Sequence, residues 1–593
     1  MKRINYHMSK RGMMAMKWLC ATFFILHSSF FISSCSDSYM EDMNTDKTKA
    51  SKIDPNTQLT TALLQTYGDF DIMDTYRNYI TGFTQHFAGA WNVTNFAGSN
   101  NYDGTIETLW NKFYTVGIKN LVDGINNSAE LPNINAALRI QKVYMLSILT
   151  DAYGDIPCSE AGMGYIKGIS TPKYDTQEEI YNYFFDELAA CVAQLGTGKD
   201  HISGDVTSLD GDILGWKKFA NSLRMRYAMR ISAVDSTKAQ KEFEKALAAD
   251  GGYIQDTKYD TYVKYLDVPF TLYDGAKELD FRANALGETL YGQATDSPSM
   301  ICATFFNMMK KMQDPRLYRI CRHYNNAKRS QVKPDEEWNI DVTDEFLAYL
   351  QRTNREEVPC GVGDAWYVPW LNDIPTAADL PTLERIQEQY PDGGFFKNNN
   401  DYRMARPWLS IQFEKPNCPG YLISSAEVKF LMAEAKSKGW TVTGDMQTLY
   451  EDGIRDAMQM LNTHYLSDDL KISDAEIETY ITGIANSGAL NDNACEAINT
   501  QAWILHLMNP SEAWANLRRS DYPVLVDRAK KEKHAGQFPY PDKLGLSTPD
   551  RLYYPTSEQK YNTANYQEAI DRMDGEENWH KLVWWDVKHG NFE

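Results

Sequence analysis

Helical periodicity in two separated blocks limits the fold more than any other feature of this chain. The blocks lie at about 105–250 and about 424–520. In residues 105–127, Ile106, Leu109, Trp110, Phe113, Val116 and Gly117 recur at helical spacing, and residues 133–153 repeat the pattern with Ala137, Ile140, Val143, Tyr144, Ser147 and Ile148. Such stripes bury one face of each helix against a neighbour. Thr176 opens a helix with Glu178 and Glu179 in its first turn, where carboxylates complement the helix dipole. Asp212 opens another, on which Trp216, Phe219, Ala220, Leu223 and Tyr227 share a face. Further helices are predicted at 236–249, 300–312, 424–438, 446–461, 474–484, 492–508 and 558–572, and Asn56-Thr57 is read as the cap of one that ends near Tyr67. Residues 251–423, between the blocks, are rich in Gly, Pro, Tyr and Asn and read as long loops with short strands. The expected fold is mainly α. It is a TPR-like scaffold of paired helices with a loop-rich irregular face and a few short strands, although no clean TPR signature repeats.

The first 34 residues are not part of that fold. Lys10, Arg11 and Lys17 precede an apolar run over 18–32, which closes at Ile32-Ser33-Ser34-Cys35. The run is short for a bilayer span, and small residues followed by cysteine are the signature of a lipoprotein signal. Cleavage before Cys35 leaves a cysteine that carries the lipid, and several acyl chains at one residue meet the requirement for stable anchoring. Residues 36–55 are polar and acidic, with Asp37, Glu41, Asp42 and Asp46, and read as a solvated tether. The expected organisation is a signal peptide over 1–34, a tether over 35–55 from lipidated Cys35, and one domain over 56–593 carrying the loop-rich insertion.

Composition then removes several function classes. The net charge is −20, and loss of a leader with five basic residues and no acid makes it more negative still. Nucleic-acid binding needs a basic footprint and is disfavoured. The chain has nine cysteines, and those outside the leader and the lipidation site (158, 191, 302, 321, 360, 418 and 495) form no close pairs. Most of them read as small buried hydrophobes, and together they are not a disulfide framework. No CxxC or HExxH motif occurs, and the ten histidines are scattered, so no transition-metal site and no cofactor is expected. Asp210-Gly211-Asp212 lacks EF-hand spacing and reads as a helix cap before it reads as a calcium site. The 36 Tyr and 14 Trp supply a core and leave enough aromatics for a surface that stacks on sugar-like faces.

Several ordered phrases resemble the SusD/RagB-type lipoproteins, in particular the second SusD-like subfamily. They are Asp151-Ala-Tyr-Gly-Asp-Ile-Pro157 with Ser159-Glu160-Ala161, the helix over 216–230, the helix-pair opening from Ser425 through Glu427 and Glu434 to Trp440, Glu512-Ala-Trp514 with Arg518-Arg519, and Arg551-Leu-Tyr-Tyr-Pro555 with Trp584-Trp585-Asp586. The resemblance runs from about 36 to 590. It implies a protein on the outer face of the outer membrane that captures an oligosaccharide, or in some systems a peptide, and passes it to a SusC-like TonB-dependent transporter without cleaving it. The motif residues themselves have structural readings. Gly154 permits a turn, Asp155 caps locally, Pro157 stops the helix, and Arg518 and Arg519 beside Trp514 make buried ion pairs and stacking contacts. Glu427 and Glu434 lie seven apart on one helical face, which alone is not acid catalysis.

Family members bind sugars with loop aromatics and a few amide and guanidinium donors, and two loops here suit that chemistry. The first holds His86, Trp91, Asn92, Asn95, Asn101 and Tyr102, and the second holds Trp366, Tyr367 and Trp370 in a Gly/Pro-bounded run. Each aromatic stack contributes about 0.5–1.5 kcal/mol beyond area burial. The competing reading is that these rings pin long loops to the helices. A surface glycoside hydrolase is the main functional rival; it needs two carboxylates at a set separation, and no alternation of strands and helices of the barrel type is present.

Overall fold

The computed structural model describes residues 53–89, 104–268, 280–291, 299–324, 337–338, 408–525 and 549–587. The fold is mainly α and TPR-like, and its first helix starts earlier than the sequence suggests. Asp54, not Asn56, is the cap: its carboxylate accepts from Asn56 N at 2.9 Å, and α1 (Pro55–Gly68) begins with Pro55, whose missing N–H costs nothing in the first turn. A second helical stretch follows that the periodicity reading did not find. It comprises α2 (Phe70–Thr75), a π-turn (Tyr76–Ile80) and a short helix (Thr81–Phe83), ending in strand β1 (Phe87–Gly89). The predicted 105–127 helix is likewise interrupted: α3 (Thr108–Lys112) passes through a π-turn (Phe113–Ile118) into α4 (Lys119–Asn127). Gly117 lies in that turn where a Cβ would meet the Met145 side chain at 2.2 Å, so its absence lets α5 (Pro132–Tyr153) pack close.

The next helices form consecutive packed pairs. Helix α6 (Gln177–Gln194) starts in a full capping box, with Glu179 N donating to Thr176 Oγ1 and Thr176 N donating to the Glu179 carboxylate. Asp212 caps α7 (Ile213–Arg230) by accepting from Leu214 N and Gly215 N, which bears out the cap reading of that residue. Helix α8 (Ser236–Leu247) packs back on α7. The sequence marks one apolar stripe on α7, yet almost its whole circumference is buried, including Lys218, Arg224, Arg226 and Arg230. A helix buried all round is normally apolar; this one satisfies its cations internally.

Strand β2 (Thr261–Val263) pairs antiparallel with β7 at Gly420–Ile423. In between lie α9 (Ala285–Tyr291), β3 (Ser299–Ile301), α10 (Ala303–Lys311), β4 (Cys321–Tyr324), β5 (Glu337–Trp338) and β6 (Trp408–Leu409). With β1 they form a five-stranded sheet in the order β1-β3-β6-β4-β5, every described pair antiparallel. The second helical block runs through α11 (Ser425–Ser437), α12 (Met446–His464), α13 (Asp474–Ser487), α14 (Ala494–Leu505) and α15 (Pro510–Ser520), then α16 (Thr556–Tyr561) and α17 (Thr563–Asp571). Ser424 and Ser473 cap α11 and α13 through the backbone N–H three residues on.

The Asp151-to-Pro157 phrase is a socket for the end of the chain. Gly154 ends α5 at φ 81°, with its N–H returned to Thr150 O. Leu552 N donates to Ala152 O, Arg551 to Tyr153 O, and Tyr554 Oη to Asp155 O at 2.7 Å. Asp155 is not a local cap, as the sequence suggested. Its carboxylate accepts from Gln177 N at the start of α6 and pairs with Arg572 Nε at 2.6 Å, so it joins two distant elements.

Asp260 sits just before β2, 3% exposed, and accepts a 2.6 Å hydrogen bond from Ser425 N in the first turn of α11. Burial pushes its carboxyl up to about 7, against the lowering effect of the Ser425 bonds. In the unfolded chain the same group titrates near 4. Between roughly pH 4 and 7 the folded state therefore holds a proton that the unfolded state has lost. Stability falls through that window by up to about 1.4 kcal/mol per pH unit from this group alone. Asp260→Asn keeps the acceptor for Ser425 N, and it is expected to flatten that slope and raise stability above pH 7 in denaturant titrations run across pH.

Candidate functional site

The five-stranded sheet carries the roots of both loops read as ligand-binding. Strand β1, at one edge, runs out at Gly89 into residues 90–103. Strand β5, at the other edge, runs out at Trp338 into residues 339–407, which return as the central strand β6. Trp91, Asn92, Asn95, Asn101, Tyr102, Trp366, Tyr367 and Trp370 fall within these stretches and, like Cys35 and Cys360, lie outside the described residues.

His86 is described, and its place corrects the sequence reading. It is 0% exposed, its ring centroid 4.5 Å from Trp503 and 5.4 Å from Phe305, and its carbonyl accepts from Cys302 N. Burial pushes its imidazole down to about 3, so the ring is neutral at ordinary pH. His86 therefore belongs to the anchorage of the first loop and not to its binding surface.

That anchorage is extensive on both sides. Before β1, Trp503 Nε1 donates to Thr84 O at 2.9 Å and Thr304 Oγ1 to Gln85 Oε1 at 2.6 Å, with Gln85 held at φ 53°. After the loop, Thr75 Oγ1 donates to Thr105 O at 2.6 Å, Asn78 Nδ2 to Thr105 Oγ1 at 3.0 Å, and Thr108 Oγ1 to Asp71 O at 2.8 Å. The scaffold thus fixes the chain on both sides of residues 90–103.

Acid chemistry is the alternative use of a site, and the motif carboxylates are committed elsewhere. Glu427 accepts two hydrogen bonds from Arg226 at 2.6 and 2.7 Å and lies 3.2 Å from His506 Nε2. Burial pushes its carboxyl up, yet Arg226 and His506 outweigh that and hold it at about 2. Glu434 is paired in the same way with Arg519, at 2.6 and 2.7 Å, and is also held at about 2 against its burial. Glu512 accepts from Arg230, whose Nε lies 3.4 Å from Asp151 Oδ2. Asp151 also accepts from Tyr181 Oη and Trp585 Nε1. Carboxylates held near 2 are poor proton donors at neutral pH. Arg518 Cζ lies 3.7 Å from the Trp514 ring centroid and its guanidinium donates to Asp151 O and Asp550 O, so Arg518 takes the stacking part of the motif reading and Arg519, on Glu434, the ion-pair part. The partnership of Arg226 and Arg230 with Glu427 and Glu512 went unread, although two arginines four apart on one helix are a signal for it.

No group of three or more His, Cys, Asp or Glu side chains suited to a metal occurs among the described residues. Asp210 pairs with Lys264. Cys158, Cys191, Cys321 and Cys418 are buried free thiols, Cys302 is buried as well, and burial pushes Cys158, Cys191 and Cys418 up to about 12. They behave as the small hydrophobes expected. No described helix is long and apolar enough to cross a membrane.

Residues 47–338 match the SusD-like family described as "Starch-binding associating with outer membrane", and residues 394–586 match the one described as "Susd and RagB outer membrane lipoprotein". Among solved structures, one described as "Bacteroidetes AC2a SusD-like" is 37% identical with a TM-score of 0.76, the match covering 90% of this chain and 100% of that one. A chitin-binding protein is 29% identical with a TM-score of 0.66 and the same coverage. A SusD homologue from Bacteroides uniformis shares the fold at 22% identity and a TM-score of 0.63, over 90% of this chain and 99% of its own. No curated protein matches the chain. The ordered motifs, the helical scaffold and these matches agree: the chain belongs to the SusD/RagB family.

Proposed function

We propose that this protein, a member of a nutrient-binding family, is anchored through Cys35 to the outer face of the outer membrane, captures an oligosaccharide, and hands it to a SusC-like TonB-dependent transporter. The observation that carries the proposal is the family match over 47–338 and 394–586 behind a leader-like segment, 1–34, that is followed by Cys35. A tether of about twenty residues keeps the domain at high effective concentration near a membrane partner, so modest affinity suffices and release stays fast. Loop aromatics, with Trp91, Trp366, Tyr367 and Trp370 foremost, form the stacking surface, and Asn92, Asn95, Asn101 and Tyr102 supply hydrogen bonds. The relative described as chitin-binding makes chitin fragments the first ligand class for this chain. The protein binds and does not cleave, a reading supported by the commitment of Glu427 and Glu434 to arginine.

Titration of the lipid-free mature protein with chitin oligosaccharides, starch fragments and peptides tests this reading. Binding of one glycan class without turnover is expected, with Trp91→Ala or Trp366→Ala weakening it roughly two- to tenfold. Peptide-only binding replaces the oligosaccharide with a peptide, and release of shortened sugars restores the hydrolase. Cys35→Ala is expected to move the protein from the membrane fraction to the soluble fraction. Glu434→Ala is expected to lower stability by about 3–5 kcal/mol, because it leaves the Arg519 charge buried and unpaired, while the folded fraction binds ligand as the wild type does.

A further inference from the structure

The β2–β7 ribbon is a joint between the two helical blocks: β2 follows the first, and β7 leads directly into α11 of the second. Two fastenings of different kinds hold it. Arg226 of α7 donates to Leu422 O on β7 at 2.6 Å and to the Glu427 carboxylate on α11, so one guanidinium ties β7 and α11 to the first block. That fastening does not respond to pH near neutrality, because Glu427 is held at about 2. Strand β2 is fastened by Asp260, the residue before it. The Asp260 carboxylate accepts from Ser425 N in the first turn of α11, and its carbonyl accepts from Ser208 Oγ at 2.6 Å. Ser208 N in turn donates to Tyr262 O, and Lys264 N donates to Val206 O.

The Asp260 carboxylate is buried and is met by Ser425, not by a cation. The groups that face it are Tyr262 on β2, Tyr421 on β7, Lys429 on α11 and Asp456 on α12. Both phenols have their ionisation pushed up by burial and stay neutral. Lys429 lies one helical turn beyond Ser425, but its Nζ is held by Asp456 Oδ2 at 2.5 Å, so its charge is already compensated. An ionised Asp260 is therefore a buried anion without a counter-ion. Burying such a charge is costly, and moving it into water removes the cost.

We propose that Asp260 is a proton-operated latch on this joint: with its carboxyl neutral, β2 is fastened to α11, and with the carboxyl ionised, β2 opens away from α11 and β7 to bring the charge into water. The opening is local, since Arg226 keeps β7 and α11 in place. It frees the amides of Ser208, Tyr262 and Lys264 from their acceptors, and that of Ser425 from Asp260.

Hydrogen exchange of the lipid-free protein, read amide by amide as a function of pH and corrected for the intrinsic rate, tests the latch. Burial places the Asp260 titration at about 7 in the closed joint, and it falls near 4 once the group meets water. Between those values the closed joint holds a proton that the open one has lost. The opening equilibrium is thus expected to rise by up to about tenfold per pH unit from roughly pH 4 to 7, and to level off above. The rise is expected at Ser208, Tyr262, Lys264 and Ser425, and not at Val428 to Ala433 within α11. Asp260→Asn stays neutral and keeps an acceptor for Ser425 N, and it is expected to abolish the rise. Asp456→Asn frees Lys429 to compensate Asp260, and it is expected to shrink the rise. A wild-type protein without the rise, or a rise that either substitution leaves unchanged, overturns the proposal. The same rise throughout α11 also overturns it, because the whole domain is then opening.

Discussion

The scaffold depends on a chain of buried ion pairs centred on α7. Arg226 and Arg230 reach Glu427 and Glu512 across sequence separations of 201 and 282 residues, and Asp151, Tyr181 and Trp585 extend the chain to α5, α6 and the C-terminal segment. Burying these charges is costly, and a well-packed apolar set of the same shape can be as stable. What the pairs supply is geometry. The Arg226–Glu427 contact is bidentate and has a fixed fork, so it sets which face of α7 meets α11, while Arg230 ties α7 to α15 through one nitrogen shared by both Glu512 oxygens. Once that register is fixed, aromatic packing around Trp216, Trp503, Trp514 and Trp585 fills the space between the helices.

Local features of this fold were legible in the sequence, and features made by distant partners were not. Thr176 and Asp212 cap helices as expected because a cap is a contact between a side chain and the backbone two or three residues on. The helix at α2 and its π-turn escaped notice because Asp, Thr and Tyr break the apolar stripe, and its polar members are satisfied by residues near 105. Asp155 looked local and is not, since its partners are Gln177 and Arg572. His86 was read as a loop ligand from its aromatic and glycine-rich neighbours. Its burial comes from Phe305 and Trp503, which no local pattern reveals.

The same distinction separates scaffold from site. The motifs that identify the family are charged and aromatic residues whose hydrogen bonds are spent inside the protein: Glu427 on Arg226, Glu434 on Arg519, Asp151 on Trp585. The described strands of the five-stranded sheet are only two to four residues long, and none of these motif residues lies on them.

The socket at the end of α5 has a consequence for the order in which the chain becomes structured. The oxygens of Asp151, Ala152, Tyr153 and Asp155 are taken by Arg518, Trp585, Leu552, Arg551 and Tyr554, and the side-chain-mediated links among these span 367 to 434 residues. Until the end of the chain arrives, the α5 terminus lacks these partners, however well the helices before it have formed. Contacts of such long range make folding slow and join its early and late parts into one event. The end of α5 therefore waits for Arg518 and for residues 551–585, and that part of the domain closes only when they are in place.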